Sequence, residues 1–153
     1  MTQTLKADNG FSPVLSREGD ELYPNGIFVF NVTRILEYID NNPQEVSLVD
    51  VNVYSFHPEF SSINETHVES VDISRPLVMA EISPGNYNLI DGHHRVEKAR
   101  RLGVDTLPAY KLTVLQHINF LTSKKAYLTY IEYWNGKVAE KRRMSAEIGK
   151  GRR

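Results

Sequence analysis

The chain has 153 residues, 41% of them hydrophobic and 10% aromatic, with a formal charge of −1. That length builds one domain with a packed core and not two, and the composition is that of a globular chain. The lack of any cysteine excludes a disulfide framework, a zinc–cysteine site and thiol chemistry. No apolar run reaches transmembrane length, and the start Met1-Thr2-Gln3-Thr4-Leu5-Lys6 has no apolar signal core, so a cytoplasmic protein without membrane partners is expected.

In chain order, residues 1–25 are rich in Gly, Ser, Asp and Pro without sustained period, and read as a loose N-terminal arm. Asn31 to Asn42 reads as a helix, with Asn31 or Thr33 as cap, Val32, Ile35, Leu36 and Ile39 at helical spacing, and Asn41-Asn42-Pro43 as stop. Val46 to Phe56 is β-branched and aromatic and reads as a strand, followed by a loop over His57-Pro58-Glu59-Phe60-Ser61-Ser62 and a short helix over Asn64 to Asp72. Leu77 to Ile82 and Tyr87 to Ile90 flank Ser83-Pro84-Gly85-Asn86, where proline and glycine suit a type II turn, so the two strands should form a hairpin.

A helix over 92–102 follows, stopped by Gly103, and Leu107 to Leu112 returns as a strand. Gln116 to Asn135 carries the longest helical pattern, with Tyr127, Tyr130, Tyr133 and Trp134 either as core or as an aromatic-rich partner surface. Residues 137–153 hold seven basic and two acidic side chains, a charge of +5, which leaves −6 on residues 1–136. The single domain therefore spans 26–136 and is acidic, with a basic C-terminal tail over 137–153. A nucleic-acid-binding domain normally carries its basic face on the body, so contact with nucleic acid through the tail is a lesser alternative.

Asp91-Gly92-His93-His94-Arg95 is the chemically densest stretch. A strand that turns through Asp-Gly into a helix puts backbone N–H groups, a positive helix end and a forked cation at one point, which suits a phosphate. Asp91 reads first as the N-cap, accepting from the N–H of His93 or His94, and alternatively as a functional carboxylate. Gly92 either relieves the turn or admits a ligand to the backbone. His93 and His94 are neighbours about 100° apart on a helix and cannot chelate one ion together, so no metal ligands are assigned. Arg95 lies in the first turn, where a cation opposes the helix dipole; a residue placed against local preference is a functional candidate, and its fork matches phosphate oxygens. Lys98, one turn on, is within reach of the same anion. Arg100 and Arg101 sit near the helix end, where cations are ordinary.

The stretch from Arg75-Pro76-Leu77-Val78 through Asp91-Gly92-His93-His94-Arg95, Ala99 and Gly103-Val104 to Leu107-Pro108-Ala109-Tyr110 resembles the ParB/sulfiredoxin superfamily, over about 75–112. The resemblance implies an α+β fold: a small mixed sheet with a β-hairpin–helix–strand core, here followed by a long C-terminal helix. It also implies a nucleotide, ATP or CTP, held by its phosphates at Gly92, His93, His94 and Arg95, with Lys98 beside them; in an enzyme, Mg²⁺ is expected to offset the phosphate charge. Sulfiredoxin chemistry is excluded because His93 stands where those proteins need a cysteine. DNA partitioning is disfavoured because His-His replaces Glu-Arg and only one long helix and a tail follow residue 112. The Asp-Gly-His-His-Arg turn is similar to that of the free-serine kinase branch, which needs a separate catalytic carboxylate.

Asp50, Glu59, Glu65, Glu69 and Asp72 are open for that role, and the candidate catalytic set is Asp91, His94 and Glu69. The functional expectation is a phosphate- or nucleotide-binding protein, either a Mg²⁺-dependent phosphotransferase or NTPase. A non-catalytic binding module switched by nucleotide or another anion is the alternative, with a DNA-binding or nuclease role behind both.

Overall fold

The computed structural model describes residues 3–25, 28–56 and 63–151. Its core is a four-stranded sheet in the order β3-β6-β4-β5, built from β3 (Ser47–Asn52), β4 (Leu77–Ser83), β5 (Asn86–Asp91) and β6 (Thr106–Leu112). β4 and β5 form the antiparallel hairpin expected around Ser83-Pro84-Gly85-Asn86, β6 lies parallel to β4, and β3 lies antiparallel to β6. The chain reaches β6 from β5 through α3 (His93–Leu102), which crosses one face of the sheet. There Val96 and Ala99 pack on Leu77, Met79, Leu89, Leu107 and Ala109. The other face, with Val78, Ala80, Ile82, Ile90 and Leu112, meets α1 (Val32–Asn41) and α5 (Lys124–Gly151). β4 is buried on both faces and is apolar from Leu77 to Ala80 and at Ile82, as a central strand should be. Separately, β1 (Leu22–Asn25) and β2 (Phe28–Asn31) pair antiparallel as a two-stranded ribbon. The fold is thus α+β, with small sheets and a long C-terminal helix.

Caps set several boundaries. Asn31 caps α1, its Oδ1 accepting from Arg34 N at 3.1 Å while Nδ2 donates to Asp20. β3 stops at Asn52, earlier than the apolar pattern runs, because the Asn52 side chain accepts from Tyr54 N and turns residues 53–55 into a 3-10 turn. The expected loop over 57–62 lies outside the described residues. The short helix α2 (Glu65–Ser70) forms where expected, capped by Asn64.

The helix read over 116–135 divides into α4 (Val114–His117), a 3-10 turn over Ile118–Phe120, and α5. The break falls where Leu121 bridges to Phe30 and where Ser123 Oγ caps a new helix at Ala126 N. α5 then continues through the segment read as a tail as far as Gly151, with residues 139–148 exposed. Three of its aromatics, Tyr127, Tyr130 and Trp134, are core, and Tyr133 is partly exposed. Residues 3–25, expected as a loose arm, contain β1 and lay Leu5 and Phe11 against the core. Two anchors six residues apart are too sparse to register as a period.

His117 is fully buried between Phe30 and Tyr130. Its Nε2 donates to Glu81 O at 2.5 Å, and desolvation lowers its pKa from 6.5 to about 4. The native state therefore keeps the ring neutral while the unfolded chain takes up a proton first. Stability from this site is complete above pH 6.5 and is lost as pH falls toward 4, by about 3 kcal/mol. Urea unfolding between pH 7 and 4 should show that loss, and His117→Phe should remove the His117 part of the slope; an unchanged slope in the variant would contradict the assignment.

Candidate functional site

The Asp91–Arg95 turn is built around one guanidinium. Arg95 is 6% exposed. Its Nη2 donates to Asp91 Oδ2 at 2.8 Å, and Nη1 donates to the carbonyls of Pro76 at 2.8 Å and Arg75 at 3.2 Å. The side chain thus ties the end of β5 to the entry of β4. The expectation that Asp91 caps α3 is corrected: its carboxylate turns to Arg95, and Gly92 occupies the cap position with no side chain to offer. A charge-assisted bond contributes about 1.5–3 kcal/mol and a cap about 1, so the ion pair wins the carboxylate. The pairing also explains a cation in the first helical turn, since the guanidinium points away from the helix axis toward oxygen. Gly92 adopts φ +113°, and a Cβ there would lie 2.4 Å from Leu77 Cδ2 and 3.1 Å from Arg95 Nη2. Of its two expected reasons, the tight turn is therefore met.

His93 stacks on Tyr23 of β1 with centroids 5.6 Å apart, and His94 stacks on His67 of α2 at 4.2 Å, nearly parallel. Asn64 N donates to His94 Nε2 at 3.1 Å. A main-chain N–H only donates, so Nε2 is unprotonated and the ring proton of neutral His94 sits on Nδ1. Lys98 turns away from the motif: Nζ donates to the carbonyls of Glu69 and Val71 at the end of α2, and the residue does not line the pocket described below. Arg100 donates to the carbonyls of Val53 and Phe56, while Arg101 bridges Glu97 and both oxygens of Glu65. The three cations fasten α2 and the 53–55 turn to α3.

These contacts frame a pocket of about 660 Å³ over the start of α3. Its floor is Asp91 to Arg95. Leu36 and Ile90 give it an apolar side, and His67 of α2 with Asp72 and Arg75 of the α2–β4 connection close it. Glu21 and Tyr23 reach it from β1 and the residue before it. Arg75 is exposed, and its guanidinium forms no ion pair among the described residues.

The two carboxylates beside it differ. Partial desolvation, then the like charge of Asp91, holds Glu21 above the ordinary glutamate value against the opposing pull of Arg95, His67 and Arg75. Hydrogen bonds from the hydroxyl and N–H of Ser74 hold Asp72 below the ordinary aspartate value.

Among the described acids proposed from sequence, only Asp72 and Asp91 line the pocket. Glu69 is exposed on α2 and Glu65 is paired with Arg101. Asp50 is on the edge strand β3, and Glu59 lies outside the described residues. Among the described residues no three of His, Asp and Glu converge as a metal site, and no helix is long and apolar enough to cross a membrane.

Sequence reasoning missed Glu21, Tyr23, His67 and Arg75 as pocket residues. Nothing local marks Glu21, because the ribbon and the α1 N-terminus place it: Val32 N donates to Glu21 O, and Glu21 N donates to Thr33 Oγ1. Compared with known proteins, the chain matches no family, no curated protein and no solved structure.

Removing one partner of a buried, hydrogen-bonded ion pair costs about 3–5 kcal/mol. Arg95→Ala should lower stability by that order, and Gly92→Ala by at least about 1–3 kcal/mol from strain at positive φ. Denaturant unfolding of both variants checks this; a loss under about 1 kcal/mol in R95A would show that the pair does not hold the turn.

Proposed function

We propose that the pocket binds the phosphates of a nucleoside triphosphate, ATP or CTP, and that the protein is a phosphotransferase or NTPase with a ParB/sulfiredoxin-like fold. The observation that carries this reading is the convergence at the start of α3 of an uncapped helix end, the Arg75 guanidinium and three imidazoles, facing two carboxylates of opposite pKa shift. A helix N-terminus and a forked cation attract phosphate oxygens, and a pocket of about 660 Å³ has the size of a small-molecule site. The β-hairpin–helix–strand order supports the resemblance seen in the sequence.

In this reading Arg75 and the α3 end meet the phosphates directly. Arg95 works from beneath as a positioning residue, because its amino groups already hold Asp91 and two carbonyls. Mg²⁺ carried on a nucleotide keeps phosphate and water ligands and needs only one or two protein carboxylates. Asp72, which stays ionised, is the residue to hold it, and the ion would offset phosphate charge. Glu21, with its raised pKa, is the better proton acceptor near neutrality and takes the proton from an attacking hydroxyl or water. This moves the base from Glu69 to Glu21.

Calorimetric titration with ATP and CTP, with and without Mg²⁺, should show binding that Arg75→Ala weakens about tenfold or more. Glu21→Gln should bind as the parent does while nucleotide turnover falls about 10²–10⁴-fold. No binding at millimolar nucleotide would overturn the reading. Binding without turnover, with water or small hydroxyl compounds as acceptors, would replace the enzyme by an anion-switched module.

A further inference from the structure

The N-terminal segment is held on α5 the way a bound peptide is held. Asn135 pairs with the backbone of Leu5 at two points, Oδ1 accepting from Leu5 N at 2.6 Å and Nδ2 donating to Leu5 O at 2.9 Å. Trp134 Nε1 donates to Gln3 O at 3.0 Å, and Asp8 N donates to Tyr127 OH at 2.9 Å. All four bonds join α5 side chains to main-chain atoms of the arm, two donated by each. Two side chains add apolar anchoring: Leu5 packs on the core, and Phe11 lies flat on Tyr127, with ring centroids 3.8 Å apart and planes 4° apart.

The spacing is consistent along both chains. Tyr127 to Asn135 spans eight helical residues, about 12 Å. Leu5 to Asp8 spans three extended residues, about 10 Å, running antiparallel to the helix. The arm joins β1 through residues 15–19, all exposed, where Leu15 is 78% exposed and Gly19 has nothing within 4 Å of its Cβ position. Along this link Arg17 and Asp20 bond locally, and the exposed Arg17 guanidinium pairs with Glu37 of α1 at 2.7 Å.

We infer that the face of α5 formed by Tyr127, Trp134 and Asn135 is a peptide-binding site whose resident ligand is residues 3–14, replaceable by the same segment supplied in trans by a second copy. Main-chain recognition supplies grip without sequence preference, and the anchors at positions 5 and 11 supply specificity, the division of labour of peptides read through their backbone. The tether through 15–19 keeps the resident arm at an effective concentration of about millimolar, which a second copy or a peptide must exceed unless the tether is cut.

An arginine-specific protease cutting at Arg17 provides the test. The nicked protein, kept native, should retain its 1–17 segment on size exclusion, and excess synthetic peptide of residues 3–14 should displace it. A peptide carrying Leu5→Ala and Phe11→Ala should need at least ten times the concentration, and nicked protein with Asn135→Leu should lose the segment without competitor. Immediate loss of the segment from the nicked parent would overturn the proposal, as would its retention through excess peptide.

Discussion

The Arg95 guanidinium is the constraint on which the site depends. It draws the last residue of β5 and the first turns of backbone before β4 onto one cation, and it does so inside the protein, where an unmatched charge is costly. The floor of the pocket inherits its position from that point. Gly92 is glycine because Leu77 and the guanidinium occupy the space of a side chain. Asp91 is withdrawn from the helix end, and α3 therefore opens uncapped toward the cavity. A motif that concentrates ligand-binding residue types thus spends two of them on holding the third side of the pocket in place.

The surrounding walls come from elements that the motif does not contain. Lys98, Arg100 and Arg101 clamp α2 and the 53–55 turn against α3, which brings His67 beside His94. The β1–β2 ribbon, fixed to α1 through Asp20, Glu21, Asn31 and Thr33, brings Glu21 and Tyr23 across the opening. The acidic body is compatible with this arrangement, since cations are consumed in fastening elements and Arg75 is left facing the pocket. Two carboxylates pushed in opposite directions are what the proposed division between a proton acceptor and a hard oxygen ligand rests on.

Much of this architecture was legible in the residues. The Pro-Gly turn between two apolar runs specified the β4–β5 hairpin, Gly103 ended α3, and Asn31 opened α1, because each rests on a local rule with little competition. What stayed hidden was set by tertiary contact. Asp91 has good cap chemistry and lost it to an arginine four residues on. The long helical pattern after residue 116 broke where Leu121 reached Phe30 and Ser123 restarted the helix. The arm lacks periodicity, and its hydrogen bonds to α5 are made by Tyr127, Trp134 and Asn135 more than a hundred residues away. Glu21 entered the site by the same long-range route, so no motif pointed to it.

The central claim is that the start of α3 is where a nucleotide's phosphates sit. Amide chemical shifts followed by NMR during titration with Mg²⁺–ATP and Mg²⁺–CTP test it most directly. The account predicts that one of the two nucleotides produces its largest shifts at the amides of Gly92, His93, His94, Arg95 and Arg75, with saturation. Shifts confined to the exposed basic end of α5, or none at millimolar nucleotide, would contradict it.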